Sequence, residues 1–322
     1  MKHSRTDYKK TKKKRVIKKI FFFISIPLLL LGLYFGYTVY ETIKAANNSY
    51  VALDREKSKY REKPVEIKKE PFTVLILGIE NYGSGGKGGR SDTIMVATFN
   101  PDDASMNLLS IPRDTLVDIS GKDIRDKINH AYSYGGLDMT VSTVEDFLEI
   151  PIDYYVTLDF DGFLNIIDTV GGVTVDVPFD FWDYKHGDWD TKIYFEEGEM
   201  RLDSDEALTY ARMRKKDPRG DIGRTERQKQ VVKALIDEIN SPSTLLKVND
   251  IVKDVGENVE TNMRINEVLA FQQKYSSFRA SSINSLDLEG TDEYIDDIYY
   301  YMPDDTSLAN LKIELKNHLE IE

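Results

Sequence analysis

From Phe72 onward the chain falls into short apolar runs. FTVLILGI and DTIMVATF read as buried strands on either side of a Gly-rich stretch, and SMNLLSI follows a Pro-Asp turn at residues 101–102. Three consecutive strands predict a sheet. The periodicity then predicts a helix over 137–149, a strand over 153–158, a helix near 160–169 and a strand over 173–177 after the Gly171-Gly172 break. Helices are expected over 204–212, 222–240 and 264–278, strands around 283–288 and 296–302, and a last helix over about 305–320. With no internal repeat, this alternation predicts one α/β (α+β) domain over 71–322, a central mixed β-sheet flanked by helices.

Upstream the pattern is different. Residues 20–40, IFFFISIPLLLLGLYFGYTVY, carry no charge and would span about 32 Å as a helix, one bilayer core. The nineteen residues before them hold ten Lys and Arg against Asp7 alone, whereas the fifteen after them hold only Lys44 and Arg55. The positive-inside rule therefore predicts a cytoplasmic tail (1–19), a single transmembrane helix (20–40) and an extracellular C-terminal domain at the cell membrane. The apolar run is longer than a usual signal-peptide core, and no small-x-small cleavage site follows it. Residues 41–70, mixed in charge and poor in apolar positions, read as a stalk, helical in part.

Charge sharpens that division. The whole chain carries 43 bases and 55 acids, but beyond residue 19 the count is 33 against 54, a net of −21. Such a surface repels nucleic acid, so an anionic ligand would need a local basic cluster. Cysteine is absent, which excludes a disulfide framework, a thiol nucleophile and a thiolate metal site.

Basic clusters do occur. The segment GIENYGSGGKGGRSDT joins the first two expected strands, and seven residues between Gly78 and Gly89 are Gly or Ser, which predicts a mobile loop delivering Arg90 and Asp92 to the second strand. The third strand ends in Ser110-Ile111-Pro112-Arg113-Asp114, a second Arg-Asp pair at a strand terminus, with Lys127, His130 and Tyr132 in a polar loop beyond. In ALTYARMRKKDPRGDIGRTERQKQ, Arg212 and Arg214 share a face only if the chain is extended there, whereas Arg224, Arg227 and Gln228 fall at i, i+3 and i+4 on a helix whose start favours anions. Each cluster taken singly reads equally well as a solvated ion-pair surface. Arginine forks grip phosphate oxygens, and carboxylates interleaved with them suit Mg²⁺, so together they indicate phosphoryl or pyrophosphate chemistry.

In this order the motifs resemble those of the LytR-CpsA-Psr family of cell-wall polymer ligases: LGIE with RSDTIMV, SIPRDT, KINHAY with Gly135-Gly136, IDYYVTLDFDGF, DTVGGVTVDV, and ALTYARMR to GDIGRTERQ, over about residues 73–235. The resemblance implies an Mg²⁺-dependent phosphotransferase. It would move an anionic glycopolymer, such as wall teichoic acid or capsule, from an undecaprenyl-pyrophosphate carrier to a peptidoglycan acceptor. By motif position Arg90, Arg113, Lys127, Arg212, Arg214, Arg224 and Gln228 would hold the pyrophosphate, with Arg113 also catalytic. Glu80 and Asp92 would serve the metal, with general-base duty a second possibility for Asp92. Glu80 stands where the family usually has Asp. Two other readings use the same residues or none of them: a polyisoprenyl-pyrophosphate hydrolase, with water in place of the sugar hydroxyl, and a non-catalytic envelope regulator.

Overall fold

The computed structural model describes residues 44, 48–80, 89–241, 259–275 and 278–322. The expected tail (1–19), transmembrane helix (20–40) and Gly-rich loop at 81–88 lie outside the described residues, within which no helix is long and apolar enough to cross a membrane.

Strands β1 (Phe72–Glu80), β2 (Arg90–Asn100) and β3 (Ser105–Ser110) form an antiparallel meander, followed by a small hairpin of β4 (Leu116–Asp118) and β5 (Arg125–Lys127). Helix α1 (His130–Leu148) leads into β6 (Tyr154–Leu158), which pairs in parallel with β1. Next come α2 (Phe160–Val170), β7 (Val173–Val177), β8 (Phe181–Tyr184), β9 (Lys192–Phe195), β10 (Gly198–Leu202), α3 (Ser204–Arg212) and α4 (Asp221–Ile239). The chain finishes with β11 (Val259–Thr261), α5 (Ile265–Tyr275), β12 (Ile283–Leu286), β13 (Gly290–Ile295), β14 (Ile298–Pro303) and α6 (Asp305–His318). The central sheet runs β11-β6-β1-β2-β3-β12, with β6 and β12 parallel to their inner neighbours and the other pairings antiparallel. The mixed sheet flanked by helices is the expected architecture.

β1 and β2 lack a clean polar face because both faces of the sheet are covered. Leu75, Leu77, Ile79, Ile94 and Val96 pack on one side with Val141, Val144 and Leu148 of α1 and Leu311 and Leu315 of α6. Phe72, Val74, Met95, Ala97 and Phe99 pack on the other, where Val232 and Ile236 of α4 and Phe271 and Tyr275 of α5 close the layer. A third core joins α2, α3, β7–β10 and the far side of α4. Helix α4 is thus wedged between two cores, which matters for the arginines it carries.

Several local expectations change. The polar loop around Lys127 is the β4–β5 hairpin, and α1 begins at His130 rather than 137, kinked where Gly136 takes φ +66°. The short strands β8–β11 and β13 follow no run long enough to be seen in the sequence. Residues 48–70, expected as a stalk helical in part, are laid irregularly against the domain within the compact unit Ala45–Glu322. Two buried carboxylates hold them. Glu145 of α1 takes the Arg55 guanidinium (Nη2 at 2.9 Å) and the Ile152 N–H at 2.8 Å. Asp153 takes Arg61 at 3.0 and 2.7 Å and the Thr73 N–H at 3.0 Å.

Candidate active site

The site begins with the way β1 meets β2. Their register is one-to-one from Phe72↔Phe99 to Gly78↔Thr93 and then slips, so that Ile79 faces Ser91 and Glu80 faces Arg90. Asp92 is the extra residue of this bulge, and a bulge re-aims side chains. This one brings the Glu80 and Asp92 carboxyls together, close enough to compete for one proton. Glycine is required at position 78, because a Cβ there would lie 2.9 Å from Thr93 Cβ.

Two carboxylates so close cannot both ionise cheaply. The Glu80 carboxyl is pushed up to about 7 by its hydrogen bond to Asp92, by burial and by the Asp92 charge, against the pull of Arg212 and Arg113. Burial works against ionisation of Asp92 as well, but the Glu80 hydrogen bond and the Arg113 guanidinium hold it below the usual carboxylate range.

Cations close around the pair. Arg113, just past β3, places Nη1 2.9 Å from Asp92 Oδ1 and Nε 3.6 Å from Asp114 Oδ2, and Lys127 Nζ reaches Asp114 Oδ1 at 2.9 Å. Arg212 ends α3 with Nη2 3.8 Å from Glu80 Oε1. The next residue, Met213, is extended (φ −56°, ψ 128°), so Arg214 also turns inward, 3.5 Å from Asp221. Arg224 Nη2 lies 2.7 Å from the same carboxylate and is near enough to Arg113 and Asp92 to feel their charges. Gln228 donates to Thr93 Oγ1 at 3.1 Å. Arg90 stands exposed at the rim, opposite Glu80 in the ladder, and its charge helps keep Asp92 ionised.

Arg227 does not join them. Arg224, Gln228, Val232 and Ile236 are four residues apart and form the stripe of α4 that follows the sheet, so the first two extend it past the strand ends into the site. Arg227 lies on the neighbouring stripe with Val231 and Ala234, facing the third core, and is only 1% exposed. It pairs with buried Asp217, donates to Tyr210 O at 3.1 Å and also bonds Met213 O. Arg227 therefore ties down the turn that carries Arg212 and Arg214. Gly223 makes room for this, since a Cβ there would lie 1.8 Å from Asp217 Oδ2.

Sequence reasoning missed four contributors. Asp221 and Thr93 lie inside the motifs, one residue type among many. Tyr299 and Tyr300 of β14 come from far along the chain: the Lys127 Nζ lies 5.8 and 5.5 Å from their rings, and Arg214 Cζ lies 5.8 Å from Tyr299. Their only signal was a run of three tyrosines. Strand β14 is held here because Tyr301 N–H donates to Asp114 O at 2.9 Å.

The donor set suits an anion and a hard cation. Asp92 Oδ1, Arg113 Nε, both Asp221 carboxylate oxygens and Arg224 Nε are buried without a hydrogen-bond partner, although their side chains are ion-paired. Native sites rarely leave so many polar atoms half-satisfied unless a ligand completes them. Among the described residues no group of three or more His or carboxylate side chains is arranged to hold a metal. The Glu80-Asp92 pair nevertheless fits Mg²⁺, which commonly takes one or two carboxylates and draws its remaining ligands from water and phosphate. A separate cavity of about 520 Å³, between residues 50–65 and Tyr154, lies at the other end of β1 from this chemistry.

Known proteins resemble this chain in sequence and fold. The LytR_cpsA_psr family model matches residues 35–317. The polyisoprenyl-teichoic acid–peptidoglycan teichoic acid transferase TagV of Bacillus subtilis (strain 168) is 49% identical over 312 residues, covering 95% of this chain and 80% of that protein. The crystal structure of B. subtilis TagV superposes with a TM-score of 0.72 at 50% identity, covering 79% of this chain and 99% of that one. The LytR-CPS2A-psr family protein YwtF (TagT) with bound octaprenyl pyrophosphate lipid gives a TM-score of 0.67 at 31% identity, over 84% of this chain and all of that one. By the family match over most of its length and these identities, the chain belongs to the LytR-CpsA-Psr family.

Proposed function

We propose that this chain is a phosphotransferase that moves an anionic glycopolymer, of the wall teichoic acid type, from an undecaprenyl-pyrophosphate carrier to a peptidoglycan hydroxyl. The observation that carries the reading is one carboxylate pair, Glu80 and Asp92, bordered by Arg113 and Arg212 and backed by the Arg214-Asp221-Arg224 group. The names of the relatives point the same way.

In this reading the acceptor hydroxyl oxygen attacks the phosphorus that bears the glycan. The bond from that phosphorus to the bridging oxygen breaks, and the polyprenyl monophosphate leaves with the electron pair. Arg113, Arg212, Arg214 and Arg224 hold the pyrophosphate oxygens, where fixed donors are worth most as charge builds. Each is already fixed by a carboxylate, so little reorganisation is needed. Arg90 and Lys127 border the group, and Gln228 fixes Thr93 beneath it. Asp92, kept ionised by the Arg113 guanidinium, accepts the hydroxyl proton. Mg²⁺, held by Glu80 and Asp92, would neutralise pyrophosphate charge when bound. The apolar run at 20–40 would keep the enzyme on the extracellular face of the membrane that holds its donor.

The test uses the full chain in lipid nanodiscs with a polyprenyl-pyrophosphate-linked disaccharide, Mg²⁺ and soluble peptidoglycan strands. A phosphodiester-linked product by mass spectrometry is expected. Release of free glycan phosphate at the same rate with and without strands would replace this reading with hydrolysis.

A further inference from the structure

The β8–β9 hairpin has two unlike faces. Phe181 and Phe195 face each other across the ladder and fill the third core. The alternate positions, Trp182 opposite Tyr194 and Tyr184 opposite Lys192, must then project outward. Trp182 and Tyr184 meet edge to face at 5.4 Å, and Trp189 in the connecting turn leans on Tyr184 at 5.9 Å. Trp189 is 80% exposed and Tyr194 63%. Lys192 Nζ sits 3.8 Å above the Trp182 ring. Exposed tryptophan and tyrosine clustered in this way mark a binding surface, because large rings offer area at little entropic cost.

This surface is continuous with the candidate active site. His186, in the same turn, bonds Arg212 and packs on Phe160 at 4.7 Å, while Arg212 lies 4.6 Å from that same ring. Arg212 in turn reaches Glu80. The aromatic strip therefore starts where the pyrophosphate group would sit and leads outward along the hairpin.

Two ligand classes suit exposed aromatics beside lysine: a bilayer surface and a polysaccharide. The turn favours the second. Trp189 lies between Asp188 and Asp190, and Asp188 accepts the backbone N–H groups of Asp190 and Thr191 at 2.9 and 3.3 Å. Sinking Trp189 into an anionic leaflet would drag both carboxylates with it, against desolvation and like charge. A pyranose ring instead lays its C–H face on an aromatic ring and offers its rim of hydroxyls and amides to carboxylates and lysines. Lysine beside the rings also matches the carboxylates that decorate peptidoglycan.

We propose that the outward face of the β8–β9 hairpin, built on Trp182, Tyr184 and Trp189, is the subsite for the acceptor glycan strand, feeding its hydroxyl toward Arg212 and the carboxylate pair. The inference rests on the transferase reading for its direction of transfer, while the binding it requires is measurable without turnover.

The two tryptophans of this hairpin are the only two in the chain, so emission excited at the red edge, where the nineteen tyrosines do not absorb, reports on it alone. The full chain in nanodiscs would be titrated with a β-1,4-linked N-acetylglucosamine hexamer and with uncrosslinked peptidoglycan strands. A saturable emission change is expected, and its half-saturation, read from the remaining Trp182, should rise by about tenfold or more in a Tyr184→Ala, Trp189→Ala double variant, the scale of losing one or two aromatic anchors. The same variant should raise the acceptor KM by a similar factor, leave kcat and the donor KM within about twofold, and keep the wild-type melting temperature. An unchanged acceptor KM, or emission that responds to phosphatidylglycerol vesicles and not to glycan, overturns the subsite. Transfer without any glycan-dependent emission change sinks the subsite and leaves the transferase reading standing; glycan binding without transfer does the reverse.

Discussion

Glu80 and Asp92, twelve positions apart, are joined carboxyl to carboxyl because β2 carries one more residue than β1 at the bulge. The Glu80 value, raised from 4.5 to about 7, has a pH consequence. A carboxyl whose folded pKa is raised stabilises the fold fully below its ordinary value and loses that contribution as pH rises through the folded one. The cation-free chain should therefore lose melting temperature between about pH 5 and pH 8, and Mg²⁺ should restore it at the upper end by replacing the shared proton. Glu80→Gln should flatten the profile. A melting temperature in chelator that stays level over this range, with Glu80 intact, would contradict the pairing.

Arg227 and Arg212 should separate stability from activity. Arg227→Ala leaves buried Asp217 with only the Arg219 N–H at 2.8 Å and a longer contact to the Arg219 side chain at 3.6 Å, a loss at the lower end of about 3–5 kcal/mol, visible in chemical denaturation. Arg212 is partly exposed at the site, so Arg212→Ala should change stability by less than about 1 kcal/mol while lowering donor turnover by at least about tenfold. Equal destabilisation by both substitutions would place Arg212 in the scaffold.

Gly78→Ala probes the bulge itself. The new Cβ must push Thr93 aside, and Thr93 is held by Gln228, so overpacking of about 1–3 kcal/mol falls on the bond that fixes the site's floor. Activity should drop further than stability does, and Thr93→Gly, which removes the Cβ and Oγ1 that the new methyl would meet, should cost less stability in the Gly78→Ala background than in the parent. An equal cost in both backgrounds would mean that the glycine matters for a reason other than this contact.

Residues 48–70 should be part of the folded unit. Arg55→Ala strands Glu145, which is fully buried, and should cost about 3 kcal/mol. Hydrogen exchange would register the change as lost protection at the Ile152 amide, which donates to the same carboxylate. If Arg55→Ala melts like the parent, the segment is a free tether after all.

Much of the site was legible in the sequence because its chemistry is written in residue type. Arg90, Asp92, Arg113, Arg212, Arg214, Arg224 and Gln228 stood out as cations and carboxylates at strand and helix ends of a strongly acidic domain. The long strands and helices showed themselves through period. The extended link between Arg212 and Arg214 was a condition the sequence could state; the Met213 conformation meets it.

What tertiary structure alone decided follows from distances that no local pattern encodes. Spacing put Arg227 with Arg224 and Gln228, since i+3 and i+4 are both neighbours on a helix. Only the placement of α4 between two cores sends one stripe to the site and the next to Asp217. Tyr299 joins Lys127 and Arg214 from far along the chain, through a strand pairing set by backbone bonds at Asp114. Residues 48–70 looked like a solvated stalk by composition, because charge pattern does not reveal that Glu145 and Asp153 wait beneath Arg55 and Arg61. By itself the sequence determined the long elements, the candidate groups and the family; which groups touch was settled by one extra residue in a ladder and by which face of each helix the cores left open.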